Sequence, residues 1–185
     1  MNGSQDTPRN HGPWRILRRH EIYRDPWVTL TKDDVIRPDG KPGTYSVLQL
    51  KRGVCVIAVD EAKHVYLTEE FHYGVGRTTL EAASGGCEPD EDLLVAAQRE
   101  LREETGIEAD RWTSFGSVDP FTANVVSPTA LFVAEGLRFG PQQPEGTELI
   151  RVVRMPLHEA VSAVLEGRIT HSPTAVLLLR LHIAA

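Results

Sequence analysis

Cysteine is scarce in this chain, whose 185 residues include only Cys55 and Cys87. Their separation matches no common spacing of metal ligands, so they give no sign of a structural metal centre. So few cysteines fit a reducing compartment, and we expect a cytoplasmic protein, although the sequence is also compatible with one disulfide. With 41% hydrophobic residues, the chain can form a sizeable core.

Positive charge and long apolar runs are lacking as well. The net charge is −6 and the isoelectric point is about 5.6, which argues against binding nucleic acid through its phosphates. A nucleotide substrate stays compatible with this charge, because a bound cation can supply local positive charge. The longest apolar runs, 54–59 and 175–179, fall short of the roughly 20 residues that cross a membrane. We therefore expect neither a nucleic-acid partner nor a membrane partner.

Three segments divide the chain. Residues 1–13 are polar and aperiodic, without the apolar core of a signal peptide, and are predicted to be a disordered tail. Residues 14–50 read as a small N-terminal β-element, and residues 51–185 as the main domain. There, strands interleave with two or three helices, which indicates an α/β or α+β sandwich. The predicted strands are 27–36, 44–50, 54–59, 64–69, 112–118, 130–134 and 150–155, and the predicted helices after residue 150 are 156–166 and 172–183.

What the chain does have is a dense acidic segment at 85–107. Asp90 or Asp92 can cap the start of a helix there, and Gly106 stands where that helix would end. Good helix formers fill the interval between them. The segment therefore predicts one helix with a strongly acidic C-terminal half.

Three carboxylates of this helix share one side. Glu100, Glu103 and Glu104 fall within roughly 100° of arc on an ideal helix, on the face that carries the apolar residues. They repel one another, the helix dipole disfavours anions at this end, and Arg99 alone is too little to neutralise them. Such an oxygen-rich cluster suits Mg²⁺ or Mn²⁺. A solvated acidic helix end is the alternative.

The same segment matches the pattern G-x5-E-x7-R-E-U-x-E-E-x-G-U, in which U is a bulky apolar residue. The matching residues are Gly85, Glu91, Arg99, Glu100, Leu101, Glu103, Glu104, Gly106 and Ile107. This pattern is the Nudix box, so the chain resembles the Nudix hydrolases, which cleave nucleoside diphosphates linked to another moiety. The fold that the resemblance implies is an αβα sandwich with a mixed sheet.

The resemblance also implies roles for the residues of the box and of the loop before it. The segment 80–86, LEAASGG, is similar to the L-E-x-P-A-G-G lead-in of the ADP-ribose pyrophosphatase branch, with Ala83 for the usual proline and Ser84 for the usual alanine. By resemblance, the metal ligands are the backbone carbonyl of Ser84 and the carboxylates of Glu100 and Glu104. The remaining box residues are a catalytic Glu103, an orienting Arg99 (or a plain surface ion pair), and the structural residues Gly85, Glu91 and Gly106. Without the box, the glycine pair would read as an ordinary turn.

Further candidates lie outside the box. In similar enzymes a glutamate from a later loop positions the water, and Glu148, then Glu145, are the candidates here, with Glu148 also a candidate metal ligand; an ordinary acidic surface loop is the alternative. Trp27 could stack on a nucleobase or pack in the core against Trp14. The other residues that we assign to substrate binding are Arg52, Arg77, Glu81 and Phe121, although each arginine could also be ordinary surface.

Substrate choice depends on segments in which the chain departs from this branch. Glu70-Phe71-His72 stands where Gln-Tyr-Arg is common, and Thr122 stands where a second proline is usual. The sequence therefore predicts Mg²⁺-dependent hydrolysis of a nucleoside diphosphate sugar, with ADP-ribose as the leading candidate. The alternatives are UDP- or GDP-sugars, FAD or NADH, a module that senses nucleotide sugars without turnover, and a member that processes capped RNA. A homodimer through the N-terminal strands is expected from the family.

Overall fold

The computed structural model describes residues 8–143, 146 and 149–184, so Glu145 and Glu148 lie outside the described residues. The chain divides into two compact units, one of residues 1–51 and 121–127 and one of residues 52–120 and 128–185. The strands are β1 Arg9–His11, β2 Trp14–Arg24, β3 Val28–Ile36, β4 Pro42–Leu50, β5 Gly53–Val59, β6 His64–His72, β7 Arg77–Glu81, β8 Ala83–Gly86, β9 Ile107–Val118, β10 Val125–Val126, β11 Thr129–Phe139 and β12 Arg151–Pro156. The helices are α1 Leu93–Thr105, α2 Leu157–Leu165 and α3 Ser172–Ala184.

The first unit is a five-stranded sheet in the order β1-β2-β3-β4-β10. Asp25 shapes the turn between β2 and β3, because its carboxylate accepts hydrogen bonds from the amides of Trp27 and Val28 at 2.8 and 2.7 Å. On one face of the sheet, Arg19 donates two hydrogen bonds of 2.7 Å to the buried carboxylate of Asp33. A cavity of about 640 Å³ lies over this face.

The predicted boundaries of this unit need two corrections. Strand β1 lies inside the segment predicted to be disordered, because it pairs antiparallel with β2, from Arg9 opposite Ile16 to His11 opposite Trp14. The segment 121–127, assigned to the main domain, belongs to the first unit, because β10 extends its sheet in parallel with β4. Both segments are ordered by pairing with another strand, which their own composition does not reveal.

The second unit has a mixed sheet between two layers of helices. Its main order is β12-β6-β5-β11-β9, with β7 beside β6 and β8 beside β5. Strand β11 runs parallel to β5 and antiparallel to β9. Alternate residues of β5 enter two cores: Cys55, Ile57 and Val59 pack with α2 and α3, whereas Val54, Val56 and Ala58 pack with α1. The αβα sandwich predicted from the sequence is confirmed.

Helix α1 begins and ends as its sequence indicates. Of the two candidate caps it is Asp92 that caps the helix, with hydrogen bonds from the amides of Leu94 and Val95 at 2.8 and 3.4 Å. Gly106 has a φ of 69°, and its amide bonds to the carbonyl of Arg102, which ends the helix in the left-handed conformation. A side chain at Gly106 would also collide with the carbonyl of Gly140. Glycine is therefore required there.

The lead-in to the helix is more regular than predicted. The sequence predicts a loop before the helix, but residues 83–86 form β8, whose partners on β5 run from Val56 opposite Ala83 to Gly53 opposite Gly86. Cys55 and Cys87 are both free and buried, and burial raises the pKa of the Cys55 thiol to about 12. No helix in the described parts of the chain is long and apolar enough to cross a membrane.

Candidate active site

The acidic face of α1 is largely buried. Glu104 is only 7% exposed, and Ala96, Ala97 and Leu101 on the same side are fully buried. Glu100 and Glu103 are partly buried, whereas Gln98 and Arg102 are exposed, as the helical arc predicts. The carboxylates therefore lie at the edge of the core, which excludes the solvated acidic helix end.

Arg99 lies at the centre of a carboxylate cluster. Its guanidinium donates to Glu91 at 2.9 and 3.0 Å, to Glu100 at 2.7 Å and to Glu103 at 3.1 Å. It also donates to the carbonyl of Gly86 at 3.0 Å, so it joins the helix to the end of β8. These bonds, above all those to Glu91, raise the pKa of Arg99, and it stays charged. Only 27% of the Arg99 side chain is exposed, so its contacts with the glutamates are not plain surface ion pairs.

Glu91 connects this cluster to the junction between loop and helix. Besides its bonds from Arg99, its carboxylate accepts the amide of Glu88 at 3.0 Å. Arg52, predicted to bind substrate, donates to the carbonyl of Glu91 at 3.2 Å, and its own carbonyl accepts the amide of Cys87 at 2.8 Å. In this structure Arg52 therefore stabilises the entry to the helix.

Two of the predicted metal ligands meet directly. The amide of Ser84 donates to the carboxylate of Glu104 at 3.1 Å, which brings β8 and the last turn of α1 together. The carboxylate of Glu100 lies so close to Gly85 that any side chain at position 85 would collide with it. The glycine of the box is therefore needed because a carboxylate occupies the space of its missing side chain.

The segment after β11 covers the C-terminal end of α1. The amide of Gly140 donates to the carbonyl of Gly106 at 2.7 Å, and the amide of Gln143 donates to the carbonyl of Glu103 at 2.9 Å. The side chain of Gln142 bonds to the carbonyl of Glu104. These donors satisfy carbonyls that a helix end leaves without partners, beside the cluster of negative charges.

The donor set suits a hard divalent cation. Glu91, Glu100 and Glu103 share the single positive charge of Arg99, and Glu104 is a further, almost fully buried carboxylate. Carboxylate and carbonyl oxygens are the ligands that Mg²⁺ and Mn²⁺ prefer. Within the described part of the chain, no three histidine, cysteine or acidic side chains converge on one point. The backbone carbonyl of Ser84 stays a predicted ligand beside these side chains.

A second polar cluster surrounds Glu81, at the end of β7. Its carboxylate accepts the hydroxyl of Thr79 at 2.6 Å and lies 3.4 Å from His72 Nε2 and 3.3 Å from His171 Nδ1. Arg77, at the start of β7, donates to the hydroxyl of Thr170 at 2.7 Å. Both predicted substrate residues, Glu81 and Arg77, therefore contact the segment that leads into α3.

The remaining substrate candidates, Trp27 and Phe121, belong to the first unit. Trp27 is 62% exposed and Phe121 is 63% exposed. The ammonium of Lys51 lies 4.5 Å from the centre of the Trp27 ring, a cation–π contact. Trp14 stacks edge-on against Tyr45 at 5.3 Å. Core packing of Trp27 against Trp14, the alternative to base stacking, is therefore wrong.

Sequence reasoning missed His171 and Thr174 altogether. The hydroxyl of Thr174 is fully buried and accepts the amide of Ala82, which is 92 positions away in the chain, at 2.9 Å. The available signal was the helix predicted at 172–183, because both residues lie at its start. No spacing links them to the segment 80–86, because that contact is formed only when α3 packs on the sheet.

The αβα sandwich, with an acidic helix lying against a glycine-rich strand, is the arrangement expected of a Nudix hydrolase. The chain belongs to the Nudix family: the family model described as the NUDIX domain matches residues 49–176, well over half of its length. A second model, the nucleoside diphosphate sugar hydrolase N-terminal domain, matches residues 14–48. The family and the branch inferred from the sequence are confirmed.

Several characterised proteins are similar over most of their length. The methanol dehydrogenase activator of Bacillus methanolicus is 28% identical, over 88% of this chain and 89% of that protein. The ADP-ribose pyrophosphatase of Bacillus subtilis is 26% identical, over 87% and 88%. A crystal structure of an ADP compounds hydrolase has a TM-score of 0.78 with 23% identity, over 90% and 91% of the two chains, which shows that the fold is shared.

Proposed function

We propose that the protein hydrolyses the diphosphate bond of a nucleoside diphosphate sugar with Mg²⁺ as cofactor, and that ADP-ribose is the leading candidate substrate. The products are a nucleoside monophosphate and a sugar phosphate. The observation that carries the proposal is the contact of the buried Glu104 carboxylate with the Ser84 amide, beside a cluster of three further carboxylates around one arginine. The N-terminal match to nucleoside diphosphate sugar hydrolases favours this substrate class.

In the proposed site, Glu100, Glu104 and the carbonyl of Ser84 hold the cation. When bound, Mg²⁺ would contact diphosphate oxygens and neutralise the charge that develops on the leaving phosphate. Arg99 fixes the orientation of Glu100 and Glu103, because it bonds to both and to Gly86. Glu103 or a glutamate of the loop at 145–148 would accept the proton of the attacking water. Trp27 stays a proposed contact of the nucleobase, and Phe121 stays a proposed contact of the substrate.

A panel of nucleoside diphosphate sugars, together with FAD and NADH, tests the substrate class when it is assayed with and without Mg²⁺. We expect turnover of ADP-ribose or another ADP-sugar, and none after chelation of the metal. Binding of a nucleotide sugar without turnover would contradict hydrolysis and favour the sensing module. Preference for FAD or NADH would support hydrolysis of a diphosphate bond but show that the proposed substrate is wrong.

Glu104→Gln tests the metal site directly. The substitution keeps the shape of the side chain and removes its charge, so we expect turnover to fall roughly 100-fold or more and Mn²⁺ binding to weaken in parallel. Glu159→Gln, at an exposed position in the first turn of α2, is the matched control and should leave both unchanged. Equal Mn²⁺ affinity in Glu104→Gln and the native protein would contradict the assignment.

The homodimer and the cytoplasmic location belong to the same proposal. The free cysteines fit a reducing compartment. The dimer is expected from the family and is tested by light scattering, with a monomer at micromolar concentration as the contradicting result.

A further inference from the structure

Strand β8, which carries Ser84, has almost no side chains that could fix its position by packing. Its residues are Ala83, Ser84, Gly85 and Gly86, so its position depends on hydrogen bonds from neighbouring elements. The ladder with β5 spans all four residues, and the bond from Arg99 to Gly86 holds its end. Its entry is held at Ala82, a fully buried residue whose amide donates to the hydroxyl of Thr174 on α3.

The hydroxyl of Thr174 belongs to a short chain of hydrogen bonds. An amide can only donate, so Thr174 Oγ1 accepts from Ala82 and has its own proton left to donate. The near acceptor is Nδ1 of His171 at 2.9 Å; the thiol of Cys55 at 3.8 Å is a much weaker partner. We assign the direction from Ala82 to Thr174 to His171, because this arrangement uses each group once.

This series of hydrogen bonds requires an unprotonated Nδ1 on His171. Burial lowers the pKa of His171, although the charge of Glu81 opposes that shift, so the imidazole is neutral at pH 7. A proton on Nδ1 would end its role as acceptor and would instead favour the Glu81 carboxylate, 3.3 Å away. His171 therefore has two mutually exclusive partners, Thr174 when neutral and Glu81 when charged.

The charged and titratable groups around His171 come from three strands. Strand β7 contributes Glu81 and Arg77, and β5 contributes Cys55 through Thr174. Strand β6 contributes His72, opposite Arg77, and Glu70, opposite Thr79, on the same face of the ladder. Arg77 is bonded to Thr170, next to His171 in the chain.

We propose that His171 is a positioning residue of the active site, which fixes the entry to the metal-binding strand by accepting the Thr174 hydroxyl and releases it when it binds Glu81. The inference rests on the proposed role of Ser84 as a metal ligand. In this arrangement metal affinity falls when His171 takes up a proton and turns from Thr174 to Glu81.

Three variants separate positioning from simple folding. His171→Asn keeps an acceptor oxygen for Thr174 but cannot take up a proton. His171→Leu removes the acceptor, and Thr174→Val removes the hydroxyl, which leaves the buried amide of Ala82 without a partner. Thr174→Ser retains the hydroxyl and is the conservative rescue.

The first measurement needs no metal and no substrate. Hydrogen exchange of the Ala82 amide should be about tenfold faster in Thr174→Val and His171→Leu than in the native protein, and near native in His171→Asn and Thr174→Ser. Nitrogen chemical shifts of His171 should show an unprotonated Nδ1 at pH 7.5. A proton on Nδ1 in the neutral ring, or native Ala82 exchange in both deleted variants, would overturn the proposal, whatever the outcome for hydrolysis.

The second measurement is Mn²⁺ affinity between pH 8.0 and 5.5. We expect the native protein to lose about tenfold more affinity over this range than His171→Asn, since carboxylate protonation affects both equally. His171→Leu should bind weakly throughout. Parallel pH profiles for the native protein and His171→Asn would overturn the proposal. If neither binds Mn²⁺ while Ala82 exchange behaves as expected, the proposed metal site fails and the positioning network stands.

Discussion

Two carboxylate clusters flank the strand that carries Ser84, and their partners differ in kind. On the α1 side, Glu91, Glu100 and Glu103 share Arg99, whose charge is permanent at any physiological pH. On the α3 side, Glu81 lies between His72 and His171, and imidazole is the side chain that ordinarily serves as a proton-dependent partner. The α1 cluster therefore keeps its cation throughout the physiological pH range, whereas a proton on His171 changes the charge on the α3 side.

The two clusters also differ in the balance between their negative and positive groups. The cluster around Arg99 has three carboxylates for one cation, and the buried Glu104 adds another nearby. In the Glu81 cluster, one carboxylate has two imidazoles as partners. An excess of negative charge favours a divalent cation, so we assign metal binding to the α1 side and positioning to the α3 side.

The largest effect should follow from removing the positive charge of Arg99. Arg99→Leu leaves three partly buried carboxylates facing one another, so we expect the free energy of unfolding to fall by about 2–3 kcal/mol in a chelating buffer. Millimolar Mg²⁺ should restore part of this loss, because the cation replaces the missing charge. Urea unfolding of the native protein and the variant, with and without Mg²⁺, measures both quantities.

The control for Arg99→Leu is Arg102→Leu, on the exposed side of the same helix. It should change stability by no more than about 0.5 kcal/mol and show no rescue by Mg²⁺. An equal loss of unfolding free energy in the two variants would mean that the carboxylate cluster is solvated well enough to need no cation.

A smaller effect should follow from filling the space beside Glu100. Gly85→Ala places a methyl group where the Glu100 carboxylate lies, so the carboxylate must move, at a cost of about 1–2 kcal/mol in stability. Turnover should fall more steeply than stability, since Glu100 is a proposed metal ligand. Gly74→Ala is the matched control, because a side chain there meets no atom within 4 Å. Native turnover in Gly85→Ala would show that Glu100 need not occupy its present position.

The two clusters also differ in how far the sequence could reveal them. The α1 cluster lies within one helix and its flanking strand, so helical periodicity placed Glu100, Glu103 and Glu104 on one face, and Asp92 and Gly106 marked the ends. Strand β8 was missed because Ala-Ser-Gly-Gly has no side-chain alternation, and its conformation is imposed by the ladder with β5. Pairing between distant segments also ordered β1 and β10.

The α3 cluster could not be predicted at all from local patterns. His72, Glu81 and His171 come from two strands and the residue before a helix, and they meet only through sheet pairing and the packing of α3. An isolated histidine in a sequence carries no information about its partner. The proposed loop glutamates, Glu145 and Glu148, stay predictions, since they lie outside the described residues.

The smallest effect is the contribution of His171 to stability as a function of pH. Its pKa is lowered in the folded protein, chiefly by burial, so the folded state binds a proton less readily than the unfolded chain. The unfolded state therefore holds more protons at mildly acidic pH, and stability is complete above the unfolded pKa of about 6.5 and declines as the pH falls below it. His171→Asn has no such proton to take up. The difference in free energy of unfolding between the native protein and His171→Asn should therefore shift against the native protein from pH 7.5 to 5.0. A difference that is constant over this range would mean that His171 is as easily protonated in the fold as in the unfolded chain. His171 would then not make the free energy of unfolding depend on pH, and in this respect it would not differ from Arg99.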